Sequence, residues 1–417
     1  MRRFSIFICL QASLIASIIE PISVALIRIS FEEDSTNSTT GNGQFLLTNE
    51  GIDCGSYTID PPPHDYNYFL SQLLAVNQYF ENVSYGKFGI DLAQSSIYPS
   101  SLNGNYQLSN TMDFYNPYDD PLGQEEKLTK LFKDAIEQSY SEDAIEFSKY
   151  DLVVVFHAGI GQDFSLPFLD PTPEDIPSTY IDEDMIQEHL GESNIIVGNH
   201  AIQKGIILPE TQNHLLYDIS ETMFSDAENP CEYQYGITGT FSLMIGFAIG
   251  LPPLWNIQTG ESGVGVFGLM DQGSNNGRGI IPAPPTAWSR IYAGWENYVI
   301  GELGSEYHIP TRSENSIIKV PIREDEYYLI ESRSNWIKPK VSIDSLRYEI
   351  GSSSSSNLYP PYIEILIDSS GLERDSNGVF SFVPNYDIGL PESGLLIWHI
   401  DEAIINDGIF SYSINSD

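Results

Sequence analysis

The sequence predicts an α/β or α+β fold, because helical and strand patterns mix in its first part and strands dominate its last part. Residues 151–156 (D-L-V-V-V-F) form a continuous apolar run, which is typical of a central strand buried on both faces. Residues 127–139 repeat apolar side chains at helical spacing and predict an amphipathic helix. Strand patterns prevail from residue 317 onward, so we expect a β-rich C-terminal part.

The composition is that of a folded, acidic protein. Its 417 residues include 19 Lys and Arg against 58 Asp and Glu, which gives a formal net charge of -39. This charge argues against binding to nucleic acid or to anionic lipid, because both need a basic surface. Apolar residues make up 41% of the chain and charged residues 18%. The chain is therefore too hydrophobic to be a disordered acidic polymer.

The first 25 residues predict a secretory signal peptide. Two arginines precede a mostly apolar stretch over residues 4–19, and residues 23–25 (S-V-A) offer a cleavage site. We expect a mature chain that starts near Leu26 and is secreted or displayed at the cell surface. An uncleaved anchor is the alternative, although the apolar run is short for a spanning helix. No later segment is apolar enough to span a bilayer, so no membrane contact is expected of the mature form.

Two cysteines remain once Cys9 leaves with the signal peptide. In an oxidising compartment this even number favours one disulfide between Cys54 and Cys231. Two unrelated buried thiols are the alternative, because the sequence gives no distance between them.

Other elements follow from local patterns. Residues 25–31 alternate like a strand, and residues 65–80 carry apolar side chains at helical spacing. Residues 351–357 (G-S-S-S-S-S-N) predict a low-complexity turn. The late strands are predicted at residues 317–321, 327–331, 362–367 and 394–400.

The most informative stretch is residues 236–256, G-I-T-G-T-F-S-L-M-I-G-F-A-I-G-L-P-P-L-W-N. It predicts a helix that is apolar on nearly every side and ends at Gly250, and such a helix must be buried. After it come residues 268–273 (G-L-M-D-Q-G), a proline-rich segment over residues 282–288 and Ala-Gly-Trp at residues 293–295.

With these motifs the chain resembles the immune inhibitor A family of secreted zinc metallopeptidases. The family's active-site helix reads His-Glu-x-x-His-x-x-Gly-Leu-Pro-Asp, followed by a turn that carries a methionine and by a proline-rich segment ending in Gly-Trp. The match is anchored on Gly246, Gly250-Leu251-Pro252 and Leu254, with Met270 in the methionine turn. Further similar segments lie at residues 79–88, 150–159, 325–333 and 394–401.

The resemblance implies a zincin-like catalytic domain over residues 26–300, with a twisted mixed sheet and a buried central helix. Residues 301–417 would form a β-rich part of the same unit, with a longer parent chain beyond Asp417 as an option.

The chain departs from the family at every position that holds the metal. Leu243 replaces the first His, Met244 the Glu, Phe247 the second His and Pro253 the Asp that acts as third ligand. Leu, Phe and Pro carry no donor for zinc, and Met cannot serve as a general base. We therefore expect no catalytic residue and no zinc at these degenerate positions.

The sequence gives little indication of other catalytic or metal-binding sites. The histidines after the leader are His64, His157, His189, His200, His214, His308 and His399, and no two lie four residues apart. Residues 260–264 lack the second glycine of a serine nucleophile elbow. Residues 375–378 (D-S-N-G) predict a turn, with calcium binding as a lesser option.

These observations predict a secreted pseudopeptidase that binds peptide or protein segments. One alternative is an active metalloendopeptidase with metal ligands elsewhere in the chain. Another is a structural cell-surface protein whose cleft is filled.

Overall fold

The computed structural model describes residues 18–48, 54–120, 123–164, 170–355, 358–409 and 414–415. It contains helices together with several sheets, and the two larger sheets mix parallel and antiparallel pairs. The predicted α+β class is therefore confirmed.

The helices are α1 (Tyr66–Val83), α2 (Gln124–Asp143), α3 (Glu183–Leu190), α4 (Ser220–Phe224), α5 (Thr238–Ala248), α6 (Ala287–Tyr292), α7 (Ile343–Ser353), α8 (Tyr362–Ser369) and α9 (Glu402–Gly408). The strands are β1 (Val24–Ser30), β2 (Ser96–Tyr98), β3 (Tyr106–Gln107), β4 (Leu152–Ile160), β5 (Thr179–Ile181), β6 (Ile195–Val197), β7 (His200–Ile202), β8 (Gly205–Thr211), β9 (Tyr298–Ile300), β10 (Ile317–Pro321), β11 (Glu326–Arg333), β12 (Glu373–Arg374), β13 (Phe380–Phe382) and β14 (Gly394–Asp401).

The main sheet has the strand order β2-β1-β4-β8-β5, and β3 also pairs with β1. The pairs among β1, β2, β3, β4 and β8 are parallel, whereas β5 runs antiparallel to β8 at one edge. Every residue of β1, β4 and β8 is buried. This burial explains the continuous apolar run of β4, because a central strand covered on both faces has no polar side.

Helices cover both faces of this sheet. Leu26 belongs to one hydrophobic core with residues of α1 and α5, while its neighbour Ile27 belongs to a second core with residues of α2 and α3. Successive strand residues point to opposite faces, so one strand contributes to both cores. Helix α1 begins at Asp65, whose carboxylate accepts hydrogen bonds from the backbone N–H groups of Asn67 and Tyr68.

A second sheet has the order β14-β11-β10-β9 and joins the two predicted parts of the chain. Strand β9 ends at Ile300 and pairs with β10, so a division at residue 300 passes through this sheet. The Arg290 guanidinium also forms buried ion pairs with Glu296 at 2.6 Å and Glu331 at 2.7 Å. The C-terminal part is less β-rich than predicted, because it contains α7, α8 and α9.

The strand predicted at residues 362–367 is wrong, because this segment is α8. Glu364 and Asp368 are four residues apart, and Ile363 and Leu366 are buried on the opposite side. That spacing is helical, and the apolar run obscured it. Likewise, residues 351–353 complete α7 instead of forming a turn, and Asn357 lies outside the described residues.

The predicted cleavage near Leu26 stays a prediction, and in the structure this position lies within strand β1. Val24 and Ala25 are fully buried in β1, where they pair with Leu152 and Val153. Upstream, the Ile22 N–H donates to the Gly89 carbonyl at 3.1 Å. Residues 1–17, which hold most of the predicted signal peptide, lie outside the described residues. In the part of the chain that is described, no helix is long and apolar enough to cross a bilayer.

Candidate functional site

Helix α5 is the buried helix that the sequence predicts. It packs against α1 and β8, and Phe241 and Ile245 are completely buried. The backbone N–H of Ile237, just before the helix, donates to Asp60 Oδ2 at 2.8 Å. Beyond its last turn, Gly250 adopts a φ of +91°, a conformation that glycine accepts readily. The prediction of a buried helix is confirmed for most of its surface.

The four positions that the resemblance aligns with the family's three zinc ligands and its general base differ in burial. Met244 is 8% exposed and Pro253 is buried. Leu243 and Phe247 are only half-buried, and they lie four residues apart on one face of α5. Their hydrocarbon side chains offer no donor atom to zinc. The residues present therefore do not fit this metal, and no catalytic step is assigned through it.

Two aromatic side chains complete the half-buried face of α5. The Tyr180 ring stacks on Phe247 with centroids 6.2 Å apart, and the Trp255 ring meets Phe247 edge-on at 5.7 Å. We call Leu243, Phe247, Tyr180 and Trp255 the α5–β5 surface. All four are half-buried, so this surface is both apolar and accessible.

Strand β5 gives this surface a second property. The strand contains Tyr180 and pairs with β8 along one side only, and no strand of the described residues pairs with its other side. The edge of a sheet is a place where an extended peptide can add as a further strand. The site thus combines hydrogen-bonding backbone with adjacent aromatic side chains.

Met270 lies beneath α5. It is completely buried, and its carbonyl accepts a hydrogen bond from the Leu254 N–H at 2.8 Å. Gly246 makes the close approach possible, because a Cβ at that position would come within 2.6 Å of Met270 Sδ. Gly246 of α5 and Met270, which both support the family resemblance, are therefore in close contact.

Asp271, which directly follows Met270, organises the loop after α5. Its Oδ2 accepts four hydrogen bonds, from Ser262 Oγ and from the backbone N–H groups of Gly263, Val264 and Gly265, at 2.7–2.9 Å. This carboxylate fixes residues 262–265 against the methionine turn. No sequence motif predicts that Asp271 fixes this loop, because three of the four hydrogen-bond donors are backbone groups.

His64 forms a buried ion pair that the sequence does not predict. Its Nδ1 lies 2.5 Å from Glu210 Oε2, and both side chains are completely buried. Glu210 also accepts hydrogen bonds from the Leu46 N–H, the Gly159 N–H and the Tyr217 hydroxyl. Burial alone would lower the pKa of His64, but the charge of Glu210 outweighs it and raises that pKa.

The remaining histidines are dispersed. His157 is buried, with Nδ1 2.8 Å from the Ala158 carbonyl, and burial lowers its pKa to about 4. His399 is exposed and pairs with Glu326. Within the described ranges, no three His, Cys, Asp or Glu side chains converge as metal ligands would. The expected loss of zinc stays a prediction.

The turn over residues 375–378 connects β12 and β13. Asp375 Oδ1 accepts hydrogen bonds from the N–H groups of Asn377 and Val379, so the carboxylate serves its own turn. Calcium binding there also stays a prediction.

The disulfide between Cys54 and Cys231 is present and confirms the prediction. It joins the segment before α1 to the segment that leads into α5. Gln234 reinforces the connection, because its side-chain nitrogen donates to the Tyr57 carbonyl and its oxygen accepts from the Ile59 N–H. Disulfides of this kind are typical of oxidising compartments.

Comparison with known proteins gives no match: no family model matches the chain, and no curated protein is similar to it.

Proposed function

We propose that the protein is a secreted, zincin-like pseudopeptidase that binds extended peptide segments on the α5–β5 surface. One observation carries the proposal: Leu243 and Phe247, which the resemblance aligns with the family's zinc-binding histidines, are apolar and half-buried, and Phe247 contacts the rings of Tyr180 and Trp255. Replacement of metal ligands by accessible apolar groups favours binding over hydrolysis.

The geometry supports an extended ligand. A peptide that adds to β5 gains backbone hydrogen bonds, and every second side chain then points to the same side. Apolar side chains on that side would contact the rings of Tyr180 and Phe247, which gives selectivity for hydrophobic segments. The net charge of -39 disfavours acidic segments and favours neutral or basic ones.

Binding and hydrolysis of unfolded casein test this proposal. We expect labelled casein to bind the purified chain, to remain uncleaved, and to bind at least ~10-fold more weakly to Phe247→Asp. Ile397→Asp is the matched control, because Ile397 is 62% exposed on β14 and lies outside the α5–β5 surface. Stoichiometric bound zinc together with cleavage that a chelator abolishes would establish an active metalloendopeptidase instead. Equal binding by parent and Phe247→Asp would move the binding site elsewhere.

A further inference from the structure

A separate cavity of about 430 Å³ lies between β14, α9 and the loop that follows α5. Its size falls within the roughly 300–1,000 Å³ typical of small-molecule sites. Trp288 and Trp398 form part of its wall, together with Ile405 of α9. The cavity therefore offers large apolar surfaces to a ligand.

The two tryptophans are held in place by the surrounding structure. The indole N–H of Trp398 donates to Glu331 Oε1 at 2.8 Å. The Trp288 ring stacks on Tyr292 with centroids 5.0 Å apart. A ligand that enters the cavity meets aromatic side chains that are already ordered, which lowers the entropic cost of binding.

The charges around the cavity are negative. Glu261, Asp401 and His399 line it, His399 pairs with Glu326, and none of its described lining residues is Lys or Arg. Glu261 is exposed and makes no ion pair or side-chain hydrogen bond with any residue that the structure describes. Asp401 caps α9 and pairs with Arg323, but that guanidinium also faces Asp325 and Glu326. The carboxylates on and near the cavity wall thus outnumber the nearby guanidinium of Arg323.

We propose that this cavity binds an organic cation, namely an apolar or aromatic group that carries an ammonium or guanidinium. The indole rings attract such a cation through their negative faces and contact its apolar body. Glu261 supplies the opposite charge at the cavity wall. The cation comes either from a free amine or from a basic side chain of a polypeptide. The proposal does not depend on peptide binding at the α5–β5 surface.

Calorimetric titration of the full chain with three probes tests the charge requirement. We expect benzyltrimethylammonium or acetyl-arginine amide to bind at least ~10-fold more tightly than benzyl alcohol, which has no charge. Tighter binding of benzyltrimethylammonium points to a free amine as the source of the cation. Tighter binding of acetyl-arginine amide points to a basic side chain of a polypeptide. Failure of both cations to bind, or equal affinity for benzyl alcohol, would overturn the proposal.

Two variants locate the binding site. Ile404 lines the cavity and is 46% exposed, so Ile404→Trp should fill the space without disturbing the core and should abolish cation binding. Ile397→Trp is the matched control, since Ile397 is exposed on β14 and does not line the cavity. Glu261→Gln should weaken binding about 3-fold, the effect of one exposed charge pair. Unchanged binding in a folded Ile404→Trp variant would contradict the assignment.

Discussion

Two fully buried histidines respond to pH in opposite directions. The pKa of His64 is raised by Glu210, so the stability that its charged form contributes is present below 6.5 and is lost as pH rises through the raised pKa. The pKa of His157 is lowered to about 4 by burial, so its neutral form is favoured in the folded protein. As pH falls from 6.5 towards 4, the unfolded chain takes up a proton at this position that the folded protein does not.

We predict that His157 makes the protein acid-sensitive within this window. The lowered pKa corresponds to a loss of up to ~3 kcal/mol of unfolding free energy between pH 6.5 and 4. His214, whose pKa is also lowered to about 4 by burial, adds to the same trend. Urea unfolding of parent and His157→Gln across this range measures the effect, and the variant should show the shallower pH dependence.

The exposed Leu303 provides the control, because Leu303→Gln introduces the same side chain outside the core and should leave the slope unchanged. Identical slopes for the parent and His157→Gln would refute the assignment.

At the scale of the element, α5 is less uniformly buried than its sequence predicts. Ile245 is completely buried, whereas Leu243 and Phe247 are half-buried, and Phe247 contacts Tyr180 and Trp255. Most of the helix surface therefore belongs to the core, and one narrow face belongs to the proposed binding surface. This division explains how an apolar helix can form both core and binding site.

We predict that an aspartate introduced on each face of α5 will distinguish the buried face from the half-exposed face. Ile245→Asp should lower the free energy of unfolding by about 3 kcal/mol or more, because it buries an unpaired carboxylate. Leu243→Asp should cost about 1 kcal/mol, because its carboxylate can reach water. Chemical denaturation of both variants measures the difference. Equal losses would show that the two faces are equally buried.

At the scale of the whole molecule, contacts between distant segments join the N-terminal and C-terminal parts. The indole N–H of Trp295 donates to the Ile18 carbonyl at 2.5 Å, so the first described residue already belongs to the fold. Arg290 pairs with Glu331 at 2.7 Å across residue 300, and both side chains are buried. A single hydrophobic core contains residues from Val24 to Ile414. Neither residue 25 nor residue 300 is therefore a boundary between independent units.

We predict that a chain starting at Leu26 will be less stable than one starting at Ile18. The shorter chain loses the buried Val24 and Ala25 and the hydrogen bond between Ile22 and Gly89. Loss of the valine burial alone is worth about 1.5–3 kcal/mol. Thermal unfolding of the two chains compares them directly. If both unfold at the same temperature, residues 18–25 do not contribute to the fold, and a cut near Leu26 becomes acceptable.

The sequence by itself determined the features that depend on local patterns. The apolar run of β4, the amphipathic α2 and the apolar α5 were each recognisable, because burial imposes a regular spacing on neighbouring residues. The disulfide was predicted from the number of cysteines that would remain after the expected signal peptide, and two unpaired thiols were the alternative. In the candidate site, the apolar character of Leu243 and Phe247 was visible in the same way.

Only the tertiary structure decided which of these residues are accessible and what they contact. Tyr180 and Phe247 are 67 positions apart in the numbering, and His64 and Glu210 are separated by 146 residues. Such contacts depend on how the sheet and helices pack, and no local spacing encodes them. The same is true of Val24 and Ala25, which resemble the end of an export signal in composition and form part of the central sheet by pairing. Local sequence patterns reflect which side chains are buried. A binding surface forms where segments that are distant in the sequence leave one face of a helix or sheet uncovered.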